Sequence, residues 1–380
     1  MNEPRIIFIT PGCFDKGGIS RYCRYQIQAL RSIFGNENVR IFSLMGPDNH
    51  AFEEPLSVYW HGRESQANNA DRIKMSAMLL NEALNWRPSI IHSAHVNFGP
   101  LVKILAKICG ATTVLNVYGV EIWSGLSKFR QQSMFTHDHI IADCHATADY
   151  VRTNSMHPNA PSVIWDCVDL DRFRPGDVDR SLIERYGLPD PSLHPIVMSL
   201  GRLSVNARHK GFDRLISSFA TLLPKFPNAR LVISGAGDDK KNLERLAQDK
   251  GISQEVVFTG GVDEADLAKI YRYADVFSLV SDFGFGRGEG IPLTPLEAMA
   301  CGVPVIVGNE DGSREAVDGD RNGLIVSPRD QSALTNALLT ILSERSSRRR
   351  QEARAVAEER FGYKAFEQKH YSLYTKILDR

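Results

Sequence analysis

The stretch that decides the fold is residues 286–304, G-R-G-E-G-I-P-L-T-P-L-E-A-M-A-C-G-V-P, which lies between two apolar runs. Residues 275–280 precede it and residues 303–307 follow it, and both runs have the pattern of buried strands. The glycine-rich first half predicts a loop, and the second half predicts a short helix that ends at Gly302. Strand, loop, helix and strand in this order are typical of a parallel sheet covered by helices.

The helix in this stretch has a recognisable start. Thr294 is predicted to be its N-cap, Pro295 suits the first helical position, and Glu297 completes a capping box three residues after the cap. A loop that enters a helix N-terminus from the end of a buried strand presents free N–H groups and the positive end of the helix dipole. The pattern therefore predicts an anion site, with phosphate as the expected anion.

Two carboxylates, Glu289 and Glu297, flank this predicted anion site. Since they would repel phosphate, they are better placed to accept hydrogen bonds from sugar hydroxyls, and a nucleotide-sugar offers both kinds of group. Simpler interpretations remain open at this point. Glu297 can be only a capping residue, and Glu289 can be a solvated loop charge.

Composition limits the class of protein. The chain has 380 residues, 43% of them hydrophobic, which predicts a soluble globular protein with two domains. Its formal net charge of zero gives no basic footprint for nucleic acid. An apolar run of about 18 residues is absent, so no transmembrane helix is predicted, and the first ten residues are interpreted as a strand instead of a signal peptide. The six cysteines form no C-x-x-C pair, which predicts reduced thiols in a cytoplasmic protein.

Alternating strand and helix patterns predict an α/β fold with two parallel-sheet domains, residues 1–175 and 193–362, joined by a linker region at 175–195. The first predicted strand leads through Gly17 and Gly18 into a helix, which makes a second place suited to phosphate. This loop lacks the Lys-Ser or Lys-Thr of the Walker motif, and the dinucleotide pattern G-x-G-x-x-G is also absent.

Three further groups of residues lie at predicted strand ends. His95 follows one strand of the first half, and Tyr118 and Glu121 follow the next. In the second half, Arg202 and Lys210 follow the first strand. The simpler interpretation of these two residues is that they are exposed basic residues in a loop without a function. Ligands usually bind at the carboxyl ends of the strands in such sheets, so all of these are candidates.

Several motifs in combination resemble those of the retaining glycosyltransferases of family four. The resemblance covers nearly the whole chain. The motifs are E-x7-E from Glu289 to Glu297 with the following A-M-A-C-G-V-P, G-G-I-x-R-Y from Gly17 to Tyr22, and G-R-L…K-G from Gly201 to Gly211. The resemblance implies the GT-B fold, in which two Rossmann-like domains face each other across a cleft, and a C-terminal helix, residues 363–380, that packs back onto the first domain.

The resemblance also implies roles for the donor. Arg202 and Lys210 would neutralise the diphosphate, Glu289 would hold the sugar hydroxyls, and Glu297 would hold the ribose. Fixed cations at a leaving phosphate can stabilise its developing charge without a metal, so no metal and no cofactor are expected. The other implied donor-binding residues are Gly17, Gly18, Gly260, Gly261, Thr294, Pro295 and Leu296.

On the acceptor or sugar side, the implied residues are His95, Tyr118 and Glu121. The chain departs from the family pattern at two positions. Family members commonly have histidine where this chain has Tyr118, so either the tyrosine hydroxyl or another group must help to orient the transferred sugar. Pro292 lies in the loop that follows Glu289 and has no backbone N–H, so one amide fewer can face the ligand.

The function implied by the resemblance is retaining transfer of a hexosyl unit from a UDP- or GDP-linked sugar to a hydroxyl of a glycan or lipid-linked acceptor, in surface polysaccharide or glycoconjugate biosynthesis. A lipid-linked acceptor would bring the protein to the inner face of the membrane, and the helix with Lys103 and Lys107 is the candidate contact, although a core helix with solvated lysines is the simpler interpretation. A nucleotide-sugar epimerase and a non-catalytic nucleotide-sugar binding protein remain alternatives. A dehydrogenase is disfavoured by the missing dinucleotide motif.

Overall fold

A computed structural model of the chain describes residues 4–15, 17–46, 57–284 and 287–379. Contacts divide the chain into two units. The first consists of Met1–Cys167 together with Tyr363–Arg380, and the second of Val168–Gly362. Each unit is an α/β layer structure built on one parallel sheet, as the alternation of strand and helix patterns predicted.

The first unit contains a seven-stranded sheet in the order β3-β2-β1-β4-β5-β6-β7. All of its strand pairings are parallel. The strands are β1 (Ile6–Thr10), β2 (Val39–Ser43), β3 (Trp60–His61), β4 (Ile90–Ser93), β5 (Thr112–Val117), β6 (His139–Ala142) and β7 (Ser162–Val163). The helices are α1 (Gly18–Phe34), α2 (Asn69–Asn85), α3 (Gly99–Cys109), α4 (Val120–Trp123), α5 (Lys128–Phe135), α6 (His145–Thr153) and, from the chain end, α14 (Tyr363–Leu378).

The strand β1 shows why an uninterrupted apolar run forms the centre of such a sheet. All five of its residues are buried. Ile6 and Phe8 belong to the hydrophobic cluster on one face, and Ile7 and Ile9 belong to the cluster on the other. Because side chains alternate between faces and helices cover both faces, every position of the strand must be apolar or small.

The C-terminal helix α14 is part of the first unit and packs against α1. The ring of Phe366 lies edge-on to that of Tyr22, with 5.4 Å between ring centroids. A little further along, the amide Nε2 of Gln26 lies 3.0 Å from Nε2 of His370. The chain thus returns to its first domain through both apolar packing and a buried polar contact.

The second unit contains a six-stranded parallel sheet in the order β10-β9-β8-β11-β12-β13. Its strands are β8 (Ile196–Leu200), β9 (Arg230–Ser234), β10 (Val256–Gly260), β11 (Val276–Leu279), β12 (Val305–Gly308) and β13 (Gly323–Val326). Its helices are α7 (Ser181–Tyr186), α8 (Phe212–Leu222), α9 (Lys240–Asp249), α10 (Leu267–Tyr271), α11 (Leu293–Ala300), α12 (Gln331–Glu344) and α13 (Ser347–Phe361).

The segment interpreted as a linker at 175–195 is packed into the second unit. It contains α7, whose Arg185 pairs with Asp266 at 2.6 Å. Asp179 just before this helix pairs with Lys269 at 2.9 Å. The unit already begins at Val168, whose N–H donates to the carbonyl of Phe361 at 2.8 Å. Proline and aspartate suggested a linker, but these ion pairs join the segment to α10 and its neighbourhood, which sequence composition alone does not reveal.

Within the described ranges, no helix combines the length and the apolar character that crossing a membrane requires.

Candidate functional site

The candidate site of the second unit lies where the strand order of its sheet reverses. The strand β8 has β9 on one side and β11 on the other, so the connections that leave β8 and β11 run in opposite directions. Such a switch point opens a crevice at the carboxyl ends of the two strands, where ligands bind in open α/β sheets. The loops that follow β8 and β11 carry the charged residues that the sequence singled out.

Lys210, from the loop after β8, and Glu289, from the loop after β11, form an ion pair. Lys210 Nζ lies 2.6 Å from Glu289 Oε1. The same oxygen is 2.8 Å from Nε2 of His209. The three side chains are only 15–17% exposed. The structure therefore joins two predicted site residues and adds His209, which no sequence motif singled out.

This environment holds Glu289 in its charged form. Burial by itself raises the pKa of a carboxyl group, because it removes the charge from water. Here the Lys210 ammonium and the hydrogen bonds from His209 and Lys210 outweigh burial and lower the pKa of Glu289 to about 2. At neutral pH, Glu289 is an acceptor of hydrogen bonds and not a proton donor.

Arg202 adds a second cation at the end of β8. It is exposed, and in the described part of the chain it pairs with no carboxylate. The Lys210 side chain lies against the neighbouring Gly201, since a Cβ on that glycine would be 3.4 Å from Lys210 Cδ. The same Cβ would lie 3.2 Å from Phe212 Cζ, so the space between this ring and the Lys210 stem is narrow.

The backbone around Glu289 is held by Asp311, which the sequence analysis did not identify as a site residue. The Glu289 N–H donates to Asp311 Oδ2 at 2.8 Å, and the Ser313 N–H donates to Asp311 Oδ1 at 3.0 Å. The Gly312 N–H donates in turn to the Glu289 carbonyl at 3.0 Å. Burial raises the pKa of Asp311. The only sequence signal was an aspartate next to the glycine of a loop, which is too common to identify a function.

The helix of the deciding stretch begins earlier than predicted. Gly286, at the start of that stretch, lies outside the described residues. The helix α11 runs from Leu293, and its N-cap is Pro292 in extended conformation without a side-chain cap. The prediction of Thr294 as N-cap was therefore wrong, because the chain is already helical at Thr294. The capping box was also wrong for the same reason.

Glu297 is instead a buried residue with a specific partner. It is 2% exposed, and its Oε2 accepts a hydrogen bond of 2.7 Å from the hydroxyl of Tyr271. The Tyr271 ring packs against Phe173 and Phe277, with centroids 6.1 and 5.7 Å away. The hydroxyl is thus held in place by aromatic packing, and it fixes the orientation of the Glu297 carboxylate. Tyr271 lies too far from Glu297 in sequence for a motif to connect them.

The remaining predicted donor-binding residues of this unit lie at two places. Thr294 is half-buried in α11, and Pro295 and Leu296 are buried there. Gly260, with φ of +73°, ends β10, and a Cβ on Gly260 or Gly261 would meet no atom within 4 Å. The space beside this glycine pair is therefore open, and their contact with a nucleotide base stays a prediction.

In the first unit, the loop at Gly17 and Gly18 is occupied by a side chain of its own. The Gly17 N–H donates to Asp15 Oδ1 at 2.6 Å, and Ser20 Oγ donates to Asp15 Oδ2 at 2.7 Å. Gly18 begins α1, and a Cβ there would meet no atom within 4 Å. The carboxylate of Asp15 thus uses an amide at the helix N-terminus that the sequence analysis assigned to a diphosphate.

Tyr118 turns its hydroxyl into the interior of the first unit. The residue is buried, its ring lies edge-on to that of Tyr22 at 5.4 Å, and its hydroxyl accepts a hydrogen bond of 3.0 Å from Asn116 Nδ2. The idea that this hydroxyl orients a sugar is not supported by its contacts, because the hydroxyl serves a buried network centred on Asn116.

Asn116 links the network to the C-terminal helix. Its Nδ2 donates to Gln26 Oε1 at 2.8 Å, and its Oδ1 lies 2.8 Å from His92 Nε2. His92 Nδ1 contacts the Tyr374 hydroxyl, and Gln26 contacts His370. Burial lowers the pKa of His92 to about 3 and that of His370 to about 4. Both pKa values favour neutral imidazoles at pH 7, and His370 Nε2 can then accept from the Gln26 amide.

Glu121 and His95 make local contacts near the carboxyl edge of this sheet. Glu121 Oε1 accepts from the Tyr118 N–H at 2.6 Å, while its Oε2 is buried and has no partner among the described residues. Burial raises the pKa of Glu121 to about 7. His95 Nδ1 accepts from the Asn97 N–H at 3.2 Å, and burial lowers the pKa of His95 to about 4. Both side chains position backbone, and their predicted sugar-side role stays a prediction.

Two protein-family models match this chain, one in each half. The model described as Glycosyltransferase Family 4 matches residues 16–172, and the model described as Glycosyl transferases group 1 matches residues 186–357. The two matches meet near the boundary between the two units, and together they include both candidate regions.

Curated relatives and solved structures are similar to this chain. The GDP-mannose-dependent alpha-(1-6)-phosphatidylinositol monomannoside mannosyltransferase of Mycobacterium tuberculosis is 38% identical over 63% of this chain and 63% of its own length. The enzyme of that name from Mycolicibacterium smegmatis is 38% identical over 47% of this chain and 46% of its own length. The matches thus span about half to three fifths of these relatives.

Two solved structures share the fold over almost the full chain. Anabaena HepE in complex with UDP has a TM-score of 0.79 at 18% identity and covers 98% of this chain and 100% of its own. Sucrose-phosphate synthase from Thermosynechococcus elongatus has a TM-score of 0.75 at 21% identity and covers 99% of both chains. At these identities the likeness concerns the fold.

Proposed function

The chain belongs to the family 4 glycosyltransferases, the glycosyl transferases group 1, with the GT-B fold, and from this premise we propose that it transfers a hexosyl unit from a nucleoside-diphosphate sugar to an acceptor hydroxyl. The observation that carries the proposal is the ion pair between Lys210 and Glu289 at the switch point of the second sheet. It combines a cation for a diphosphate with an ionised acceptor for sugar hydroxyls at the place where such sheets bind ligands.

The proposed chemistry begins with the leaving group. Cleavage of the bond between the anomeric carbon and the phosphate oxygen leaves negative charge on the nucleoside diphosphate. Lys210 and Arg202 stabilise this charge, and they do so without a metal ion. The N-terminus of α11 adds backbone N–H groups, although Pro292 and Pro295 contribute none.

The sugar is held by carboxylates instead of being attacked by one. Glu289 is ionised and accepts hydrogen bonds from the hydroxyls of the transferred sugar, while Glu297, oriented by Tyr271, accepts from the ribose. The acceptor oxygen forms its bond to the anomeric carbon on the face that the phosphate leaves. Its proton passes to the leaving phosphate oxygen, so the anomeric configuration is retained.

The donor and acceptor follow from the relatives. The relatives that are 38% identical are named GDP-mannose-dependent phosphatidylinositol monomannoside mannosyltransferases, so GDP-mannose and a lipid-linked glycan are the substrates to test first. UDP-glucose carries the other nucleotide that the family resemblance implies, and it is the second donor to test. A role in glycoconjugate or surface polysaccharide assembly at the inner face of the membrane is part of the same proposal.

The test is an assay of GDP-mannose and UDP-glucose with a phosphatidylinositol mannoside acceptor, in buffer containing EDTA. We expect nucleoside diphosphate to be released only when acceptor is present, at a rate that EDTA does not change, and NMR of the product to show the α configuration of the donor. A change of the donor sugar without acceptor would indicate an epimerase. Donor binding without any release would indicate a non-catalytic binding protein, and either result would contradict the proposal.

Contact with a membrane surface is supported by exposed apolar residues on α2 and α3 of the first unit. Ile73 on α2 is 71% exposed, and Ile104 and Ile108 on α3 are 58% and 42% exposed. Lys103 and Lys107 lie on the same helix as the last two, so α3 offers apolar side chains together with positive charge. Anionic lipid complements this combination.

We expect the double substitution Ile104→Glu and Ile108→Glu to reduce binding to vesicles containing phosphatidylinositol by about tenfold, because it removes apolar contacts and adds two charges that anionic lipid repels. Vesicle sedimentation measures the bound fraction. Leu193→Glu is the matched control, since Leu193 is 68% exposed and belongs to the second unit. Equal binding of the double variant and the wild type would contradict membrane contact through α3.

A further inference from the structure

His209 and Lys210 both contact the same oxygen of Glu289, and the geometry suggests that the two residues have different roles. His209 Nε2 is 2.8 Å and Lys210 Nζ 2.6 Å from Glu289 Oε1. Since a carboxylate only accepts hydrogen bonds, Nε2 of His209 must carry the proton that it donates. Its Nδ1 is buried and has no hydrogen-bond partner within the described ranges. Among those residues, the imidazole therefore makes its one hydrogen bond to Glu289.

Under the proposed function, Lys210 pairs with two anions, the Glu289 carboxylate and the diphosphate of the sugar donor. When a donor binds, its diphosphate carries more negative charge than one carboxylate, and it draws the Lys210 ammonium on its flexible stem. Glu289 would then lose its main cation at the moment when it must hold the sugar hydroxyls in place. Because His209 also donates a hydrogen bond to Oε1, the Glu289 carboxylate keeps its position when Lys210 moves away.

His209 is fixed in a way that Lys210 is not. Its carbonyl accepts hydrogen bonds from the Asp282 N–H and from Arg214 Nη2, both at 2.9 Å. The preceding residue, Arg208, binds Asp239 through two hydrogen bonds of 2.9 and 2.6 Å. These contacts hold the backbone of the loop between Arg202 and Lys210, so the short imidazole stays beside Glu289 when the Lys210 side chain moves.

We propose that His209 is a positioning residue of the transfer reaction, which holds the Glu289 carboxylate when Lys210 turns to the diphosphate of the donor. The proposal rests on the proposed function and deepens it. It explains why this chain places a nearly buried histidine, with one ring nitrogen unpaired, directly before the lysine.

The test compares His209→Ala, His209→Gln and the control Val205→Ala, which changes an exposed residue of the same loop. For each variant we would measure steady-state kinetics with the nucleotide-sugar that the transfer assay shows to be the donor. Calorimetry would measure the binding of the corresponding nucleoside diphosphate. We expect His209→Ala to lower kcat about 10- to 100-fold with the donor KM within about threefold. The glutamine variant should recover most of kcat, because its amide N–H reaches Glu289 as Nε2 does.

Each outcome has a meaning. Wild-type kcat in His209→Ala, or equal losses in the alanine and glutamine variants, would overturn the positioning role while leaving the transferase function intact. A loss confined to KM and to nucleotide affinity would also overturn it, because it would place His209 in ground-state binding. A wild-type protein that binds nucleotide but transfers no sugar would overturn the proposed function itself, and His209 would lose its role with it.

Discussion

Lys210→Ala is expected to lower kcat for sugar transfer about 10²–10³-fold, the loss that follows removal of a preorganised charge-stabilising group. The variant removes the cation that meets the leaving phosphate, and among the described residues it leaves the Glu289 carboxylate with the hydrogen bond from His209. The loss should appear in kcat as well as in donor affinity, since charge on the phosphate grows as the bond to the sugar breaks. Rates of nucleoside diphosphate release with saturating acceptor measure it.

The matched control for this variant is Lys240→Ala. Lys240 pairs with Glu244 at 3.4 Å one helical turn along α9, and both side chains are more than a third exposed. We expect that variant to transfer sugar at the wild-type rate, because an exposed pair of this kind adds little. Near-UV circular dichroism of Lys210→Ala should match the wild type. Activity within a few-fold of wild type in a folded Lys210→Ala protein would refute the assigned role.

Asn116→Leu is expected to be the most destabilising single change in the first unit. Asparagine and leucine have the same number of side-chain heavy atoms in the same branched arrangement, so the change removes hydrogen bonds without opening a large cavity. Gln26, His92 and Tyr118 would each lose a buried partner. An unsatisfied buried group costs about 1–3 kcal/mol, and we expect roughly 3–5 kcal/mol in total for the network.

Calorimetry of the whole chain checks this expectation. The two units need not unfold together, so the transition to follow is the one that belongs to the first unit, which nucleotide added to the second unit should not shift directly. A loss of this size lowers Tm by about 10 °C in a unit of fewer than 250 residues. Asn81→Leu, an exposed asparagine on α2, is the control and should leave Tm nearly unchanged. A shift below about 2 °C in Asn116→Leu would show that the network adds nothing to stability.

The architecture was largely predictable because its signals are local. The apolar run of β1, the glycine that ends α11 and the alternation of strands with helices follow from side-chain burial and backbone preference over a few residues. The strands predicted at residues 275–280 and 303–307 are confirmed as Val276–Leu279 and Val305–Gly308. The predictions that concerned finer detail were less successful. Thr294 is a residue type favoured at N-caps, but the observed N-cap is Pro292, so the helix starts two residues earlier than predicted.

The candidate site was predictable only where its residues lie in motifs. Arg202, Lys210, Glu289 and Glu297 stand in patterns that can be recognised along the chain. His209, Tyr271 and Asp311 stand in no such pattern, and each acts by touching one of the motif residues from another element. Nothing in the spacing of Tyr271 and Glu297 indicates a hydrogen bond between them, since it depends on how α10 packs beside α11.

By itself, the sequence determined the two parallel sheets, the loops at their carboxyl ends and the residue types placed there, because periodicity, glycine and proline act on the nearest residues in the chain. Only the tertiary structure decided which of these groups meet. Lys210 and Glu289 come together because β8 and β11 are neighbours in the sheet, and Tyr118 turns inward because Asn116 offers its hydroxyl a buried partner. Such contacts depend on strand order and packing, which are properties of the folded chain as a whole.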